Sequence, residues 1–107
     1  MNNNLDTQTW KKSLSEDPNS ICLDVRTSNE YNEAHIPNSL NMDIYDPTGF
    51  MKKINDLDHT KSYFIYCKSG KRSQMACEIM QQCGFYKLFN LDGGIEDWIE
   101  KGNETIK

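Results

Sequence analysis

Apolar positions along this chain come in short bursts whose period switches between strand-like and helix-like. Ile21-Cys22-Leu23-Asp24-Val25 and Tyr63-Phe64-Ile65-Tyr66 are nearly continuous apolar runs, the first broken by one carboxylate. Such runs predict strands buried on both faces, as in a parallel sheet. From Ser73 the period becomes helical, with Ala76, Ile79, Met80 and Cys83 at i, i+3, i+4 and i+7, and Gly84 supplies the stop. Thr27-Ser28-Asn29-Glu30 fits a capping box and predicts a helix directly after the first of these strands. Weaker patterns predict a first helix from Leu5 to Leu14 capped by Asp6 or Thr7, a short strand over Leu40–Met42 and a helix from Phe50 through Leu57. Lys87–Leu91 reads as a strand, and Ile95, Trp98 and Ile99 share one face of a last helix ended by Gly102. Asn103–Lys107 is expected to fray. Strands and helices thus alternate, which predicts an α/β domain with a mostly parallel sheet covered on both faces.

Length narrows this to one domain over residues 1–107 with its core at about 5–102. Hydrophobic content of 36% and charged content of 26% suit a globular chain and exclude disorder. No apolar run approaches the ~20 residues of a membrane-spanning helix. A net charge of −4 gives no global basic field for nucleic acid. Met1-Asn2-Asn3-Asn4 is polar and lacks the pattern of a secretion signal, so a cytoplasmic location is expected. The four cysteines show no metal-ligand spacing and no disulfide framework, so no metal and no cofactor are expected. Cys22, Cys77 and Cys83 read as packing residues, Cys83 the least securely, in a reducing compartment.

The chemistry concentrates at Cys67-Lys68-Ser69-Gly70-Lys71-Arg72-Ser73, the hinge between a strand's carboxyl end and a helix's amino end. A thiol of pKa about 8.5 is mostly protonated at neutral pH, so a nucleophilic cysteine needs a field that favours its anion. Helix amino termini supply partial positive charge and unpaired N–H groups. Lys68, Lys71 and Arg72 add three cations within five residues of the sulfur, and Gly70 lets the loop curl its amides inward as an anion-binding nest. The reading requires the sulfur to be reachable from solvent and the loop N–H groups to face it.

Asp24, near the end of its strand, must be paired if buried, with Arg72 the first candidate partner and loop amides another. Arg26 is expected to brace the following helix through Glu30 or Glu33. His35 reads as a structural hydrogen bonder, because a preformed thiolate needs no base. His59 reads as a surface residue.

The loop, with Asp24-Val25-Arg26 upstream, Ala34-His35-Ile36-Pro37 between, and Leu91-Asp92-Gly93-Gly94-Ile95-Glu96-Asp97-Trp98 downstream, resembles a single-domain rhodanese. The four matches occur in that family's order and span about residues 21–102. The family's pattern resembles Gly-His-Ile-Pro-Gly-Ala in the middle motif, so Ala34, Asn38 and Ser39 depart from it. If either glycine normally adopts positive φ, Asn38 tolerates that far better than Ala34. The resemblance implies a mostly parallel four- to five-stranded sheet with helices on both faces. It also implies that Cys67 takes a sulfane sulfur from thiosulfate or a persulfide and passes it to a thiol, cyanide or a sulfur-relay protein. Lys68, Ser69, Gly70, Lys71, Arg72 and Ser73 would form the binding loop, with Asp24 and Arg26 in support. Two rivals stay open, a phosphatase or arsenate reductase of the same fold and a non-catalytic binding module. Related phosphatases place five residues between Cys and Arg, whereas four separate Cys67 from Arg72, a nest better sized for a terminal sulfur.

Overall fold

In the computed structural model, which describes residues 2–107, ten elements alternate strictly between strand and helix. They are β1 (Asn2–Leu5), α1 (Thr7–Glu16), β2 (Ser20–Asp24), α2 (Ser28–Glu33) and β3 (Ser39–Asn41), then α3 (Pro47–Asn55), β4 (Ser62–Tyr66), α4 (Lys71–Gln82), β5 (Leu88–Leu91) and α5 (Gly94–Glu100). The sheet has five strands in the order β1-β5-β4-β2-β3, all pairs parallel. Every residue of the central strand β4 is buried, as its unbroken apolar run requires.

Side-chain alternation along the strands sorts the core into two layers. Leu23, Val25, Tyr63, Ile65 and Cys67 face α3 and α4, where Phe50, Ile54, Ala76 and Met80 pack. Cys22, Phe64, Tyr66 and Leu91 face α1 and α5, where Trp10, Ile95 and Trp98 pack. Trp10 is fully buried with its ring edge-on to Phe64, Tyr66 and Trp98. Since parallel sheets open their crevice at the strands' carboxyl ends, that period of two delivers Cys67 there and beneath the start of α4.

The chain's ends hold more structure than the sequence predicts. The polar residues after Met1, which itself lies outside the described residues, form edge strand β1 beside β5, an element the sequence pattern does not announce. An edge strand needs backbone pairing more than apolar side chains, and here amides add to it: Asn90 donates to Asn4 Oδ1 at 2.9 Å and Asn4 to Asp92 Oδ1 at 2.8 Å. The last residues do not fray as expected. Ile106 exchanges two backbone hydrogen bonds with His35, at 2.8 and 2.9 Å, and the buried Trp98 indole donates to Glu104 O at 2.8 Å. In the predicted Leu5–Leu14 stretch the helix starts at Thr7, with Asp6, one of the two expected caps, accepting from Thr9 N. The capping box at Thr27 and Glu30 is present, and Asn38 takes φ 69° while Ala34 stays extended.

Deleting residues 103–107 removes three backbone bonds, the pair with His35 and that from Asn103 N to Trp98 O, and leaves the Trp98 indole N–H without its acceptor. A loss of about 1–3 kcal/mol is expected, measured as a lower urea midpoint with an unchanged slope.

Candidate active site

Cys67 begins a four-residue loop that closes on the first turn of α4, and the loop's shape follows from two backbone approaches. Gly70 caps α4 in the left-handed region at φ 102°, and a Cβ there would meet Asp92 O at 2.2 Å. Gly94, at φ 65°, lies under the loop so closely that its Cβ would meet Lys68 O at 2.2 Å. From the same turn Ile95 N donates to Cys67 O at 2.9 Å and Glu96 N to Lys68 O at 3.2 Å. The amino end of α5 therefore ties down the loop's carbonyls and leaves its amides free to face the sulfur.

Gly70 N donates to Cys67 Sγ at 3.1 Å, and Ser73 Oγ donates to the same sulfur at 3.3 Å. Burial pushes the thiol's pKa up, but hydrogen bonds from Ser73, Gly70 and Ser69 outweigh it and hold the value below the ordinary one. Cys77 and Cys22 lack such donors, and burial pushes Cys77 up to about 12 and Cys22 higher still. All four cysteines are free thiols, Cys83 half-buried and the others buried.

The expectation of an open sulfur is not met: Cys67 is only 1% exposed. The N–H groups face it, yet the loop that supplies them also covers it. Lys68, Ser69 and Lys71 are exposed, Arg72 is half-buried, and Gly70 and Ser73 are buried.

The expected charge pairing is also corrected. Asp24 does not meet Arg72; it pairs with Arg26, whose Nη2 lies 2.6 Å from Oδ2, with the Arg26 amide on Oδ1 at 2.9 Å. Two residues along an extended chain suffice for this contact, whereas Arg72 would have to cross the loop. Arg26 Nη2 also donates to Ala34 O at 2.7 Å, so it braces the end of α2 through a carbonyl rather than through Glu30 or Glu33. Arg72 instead makes a bidentate pair with Glu30, at 2.8 and 2.9 Å, which ties α2 to the loop. That pair holds the Glu30 carboxyl down at about 2 and raises Arg72. Lys68 lies 4.0 Å from Glu96 with both side chains mostly exposed, and Lys71 has no ion pair among the described residues. The loop's positive charge is thus largely answered by carboxylates.

Two contributors escaped the sequence reading. Read from the sequence, Glu30 is a capping residue and a candidate partner of Arg26 but not of Arg72, and Asn90 has no role. Buried Asn90 donates to Gly70 O at 3.2 Å and so braces the residue whose N–H faces the sulfur. Its signal was a lone amide in the otherwise apolar Leu88–Leu91 strand. His35 stacks on Tyr31 and its Nδ1 meets Tyr31 O at 2.8 Å, away from any bond to Cys67. His59 is exposed, stacked on Phe85. Cys83 caps the far end of α4, about 18 Å along the helix from its start. No cluster of three or more His, Cys, Asp or Glu among the described residues is placed to hold a metal.

A family model described as "Rhodanese-like domain" matches residues 7–101. The Bacillus subtilis protein YrkF is 36% identical over 95 residues, which are 88% of this chain and 49% of that protein, so the chain spans about half of it. A thiosulfate:glutathione sulfurtransferase of Saccharomyces cerevisiae is 33% identical over 100 residues, covering 84% of this chain and 72% of that one. A crystal structure of a rhodanese-related protein from Thermoplasma volcanium superposes with a TM-score of 0.84 at 28% identity, covering 97% of both chains.

Two pH responses follow. Alkylation of Cys67 by iodoacetamide is expected to titrate with a midpoint below that of the same thiol in the unfolded chain, and Ser73→Ala to move the midpoint upward. Because the Glu30 carboxyl titrates lower folded than unfolded, its stabilisation is present above the unfolded value of about 4.3 and is lost as pH falls toward the folded one. Glu30→Gln should flatten the acid limb of stability across that window, read by chemical denaturation at a series of pH values.

Proposed function

Because this chain belongs to the rhodanese-like domain family, we propose that it is a sulfurtransferase working through a persulfide on Cys67. The observation that carries the reading is the pair of donors on Cys67 Sγ, from Gly70 N and Ser73 Oγ. A thiolate held by preformed dipoles attacks the outer sulfur of a donor, the donor's S–S bond breaks, and a thiol or sulfite leaves. The sulfur gained extends the side chain by one S–S bond of about 2.05 Å, and amides of the loop, from Lys68 to Ser73, hold its charge. An acceptor nucleophile, a thiol or cyanide or the thiolate of a relay protein, then removes it. Lys71, free of an ion pair, attracts the anionic donor.

The near-complete burial of Cys67 requires the site to open before a donor reaches the sulfur. The same cover favours one rival, a module that uses the fold for binding alone. Phosphate hydrolysis is disfavoured by the four-residue spacing to Arg72, whose guanidinium is taken by Glu30. A cytoplasmic, reducing setting fits a site that depends on a free thiol.

Exposure to donor followed by mass spectrometry should show one added sulfur atom on the wild type and none on Cys67→Ser, which should also lose thiocyanate formation from thiosulfate and cyanide. Retention of turnover in that variant, or no added sulfur from any donor, would overturn the assignment. Lys71→Ala should raise the thiosulfate KM about two- to fivefold, in line with the ~1 kcal/mol of an exposed charge. The effect should shrink as salt rises, because such charges are screened over about 10 Å.

A further inference from the structure

We infer that Asn90 is a positioning residue for Cys67, and that it acts by tilting the shared hydroxyl hydrogen of Ser73 toward the sulfur. The inference rests on the reading of Cys67 as a thiolate nucleophile and adds the residue that decides one of its two hydrogen bonds. Ser73 Oγ lies 3.3 Å from Cys67 Sγ and 3.2 Å from Gly70 O, and a hydroxyl has one hydrogen to give. Sulfur and carbonyl compete for it. A carbonyl oxygen has two lone pairs. At Gly70 one accepts from Gln74 N at 3.1 Å, the first bond of α4, and the other accepts from Asn90 Nδ2 at 3.2 Å. With both lone pairs engaged the carbonyl holds the Ser73 hydrogen less strongly, and the balance moves to the sulfur.

The Asn90 amide is held in the orientation this requires by residues at the sheet edge. Asn4 Nδ2 donates to Asp92 Oδ1 at 2.8 Å, and an ionised carboxylate only accepts, so the Asn4 amide is fixed with its own oxygen free for Asn90. That oxygen takes a hydrogen from Asn90 Nδ2 at 2.9 Å. Both hydrogens of Asn90 Nδ2 thus meet acceptors, Asn4 Oδ1 and Gly70 O. A flipped amide would set its oxygen against both.

The arrangement carries a penalty that points to its use. Asn90 is 3% exposed, and its Oδ1 has no hydrogen-bonding partner. A buried acceptor left in that state is destabilising, and it calls for an explanation beyond the strand itself. Asn90 is flanked in β5 by Leu88, Phe89 and Leu91, a setting in which an apolar residue would pack without the penalty. A residue that served only the strand has no need of an amide. One that engages the Gly70 carbonyl does, since the donor must reach across from β5 to the first turn of α4.

The test reads the pH midpoint of iodoacetamide alkylation on the Cys67 peptide by mass spectrometry, in the wild type, Asn90→Leu, Ser73→Ala and the double variant. Asn90→Ala, smaller than the residue it replaces, runs in parallel against overpacking by leucine, and urea denaturation checks the fold of each. The limiting rate at high pH reports opening of the site, so the midpoint reports thiolate formation alone. Asn90→Leu and Asn90→Ala should each raise the midpoint by about half to one pH unit, so that at a pH below both midpoints alkylation slows about three- to tenfold. In the Ser73→Ala background Asn90→Leu should leave the midpoint where Ser73→Ala alone puts it, because no hydroxyl remains to be redirected. An unchanged midpoint in both Asn90 variants, or a further rise of the same size in the double variant, overturns the role of Asn90 while leaving the thiolate and sulfur transfer intact. An unchanged midpoint in Ser73→Ala overturns the hydrogen bond from Ser73 to the sulfur, and the role of Asn90 with it.

Discussion

Everything at this site depends on one residue's backbone, that of Gly70. Its N–H faces Cys67 Sγ, and its carbonyl accepts from Ser73 Oγ at 3.2 Å, from Gln74 N at 3.1 Å and from Asn90 at 3.2 Å. One residue thus ends the sulfur cradle, starts α4 and joins the loop to β5. The left-handed φ, and Asp92 O standing where a Cβ would clash with it, restrict the position to glycine. Any side chain here would push the loop off the β5 turn, and the donor hydrogen would turn away from the sulfur with it.

That arrangement sets two opposing physical demands on Cys67. Enclosure strengthens each N–H···S contact, because the low local dielectric leaves no water to compete. The same enclosure disfavours the anion and denies a donor its approach. The hydrogen bonds win the first contest, since the thiol's pKa is lowered in spite of burial. Meeting the second would require the site to open; the Cys67 and Lys68 carbonyls are held by the start of α5, whereas the Lys68 and Ser69 side chains are exposed.

What was legible in the sequence was whatever is written in consecutive residues. The apolar run of β4, the Cys67–Ser73 loop, the i, i+3, i+4 face of α4 and the capping box at Thr27 all reappear at or near their expected places. What was missed is set by partners distant in the chain. β1 carries no apolar signal, and its pairing with β5 joins residues more than eighty positions apart. The terminal bridge between His35 and Ile106 and the Asn90 brace are of the same kind. Charge pairing erred for a related reason: composition showed three cations near the sulfur but not the carboxylates Glu30 and Glu96 that the fold brings to them. Glu30 is forty-two residues from Arg72.

The other thiols show how fully the reactivity of Cys67 is a matter of local donors and not of residue type. Cys77 is on the same core face, equally enclosed, and receives no hydrogen bond on its sulfur among the described residues; burial, with the charges of Glu78 and Cys67 adding to it, pushes its thiol to about 12. Cys83 is the half-exposed thiol, yet it sits at the opposite end of α4, about 18 Å of helix away. A disulfide requires Cα atoms within about 7 Å. Cys83 therefore could not resolve a persulfide on Cys67 without unwinding α4, and on the sulfurtransferase reading proposed above that thiol takes no part in releasing the sulfur.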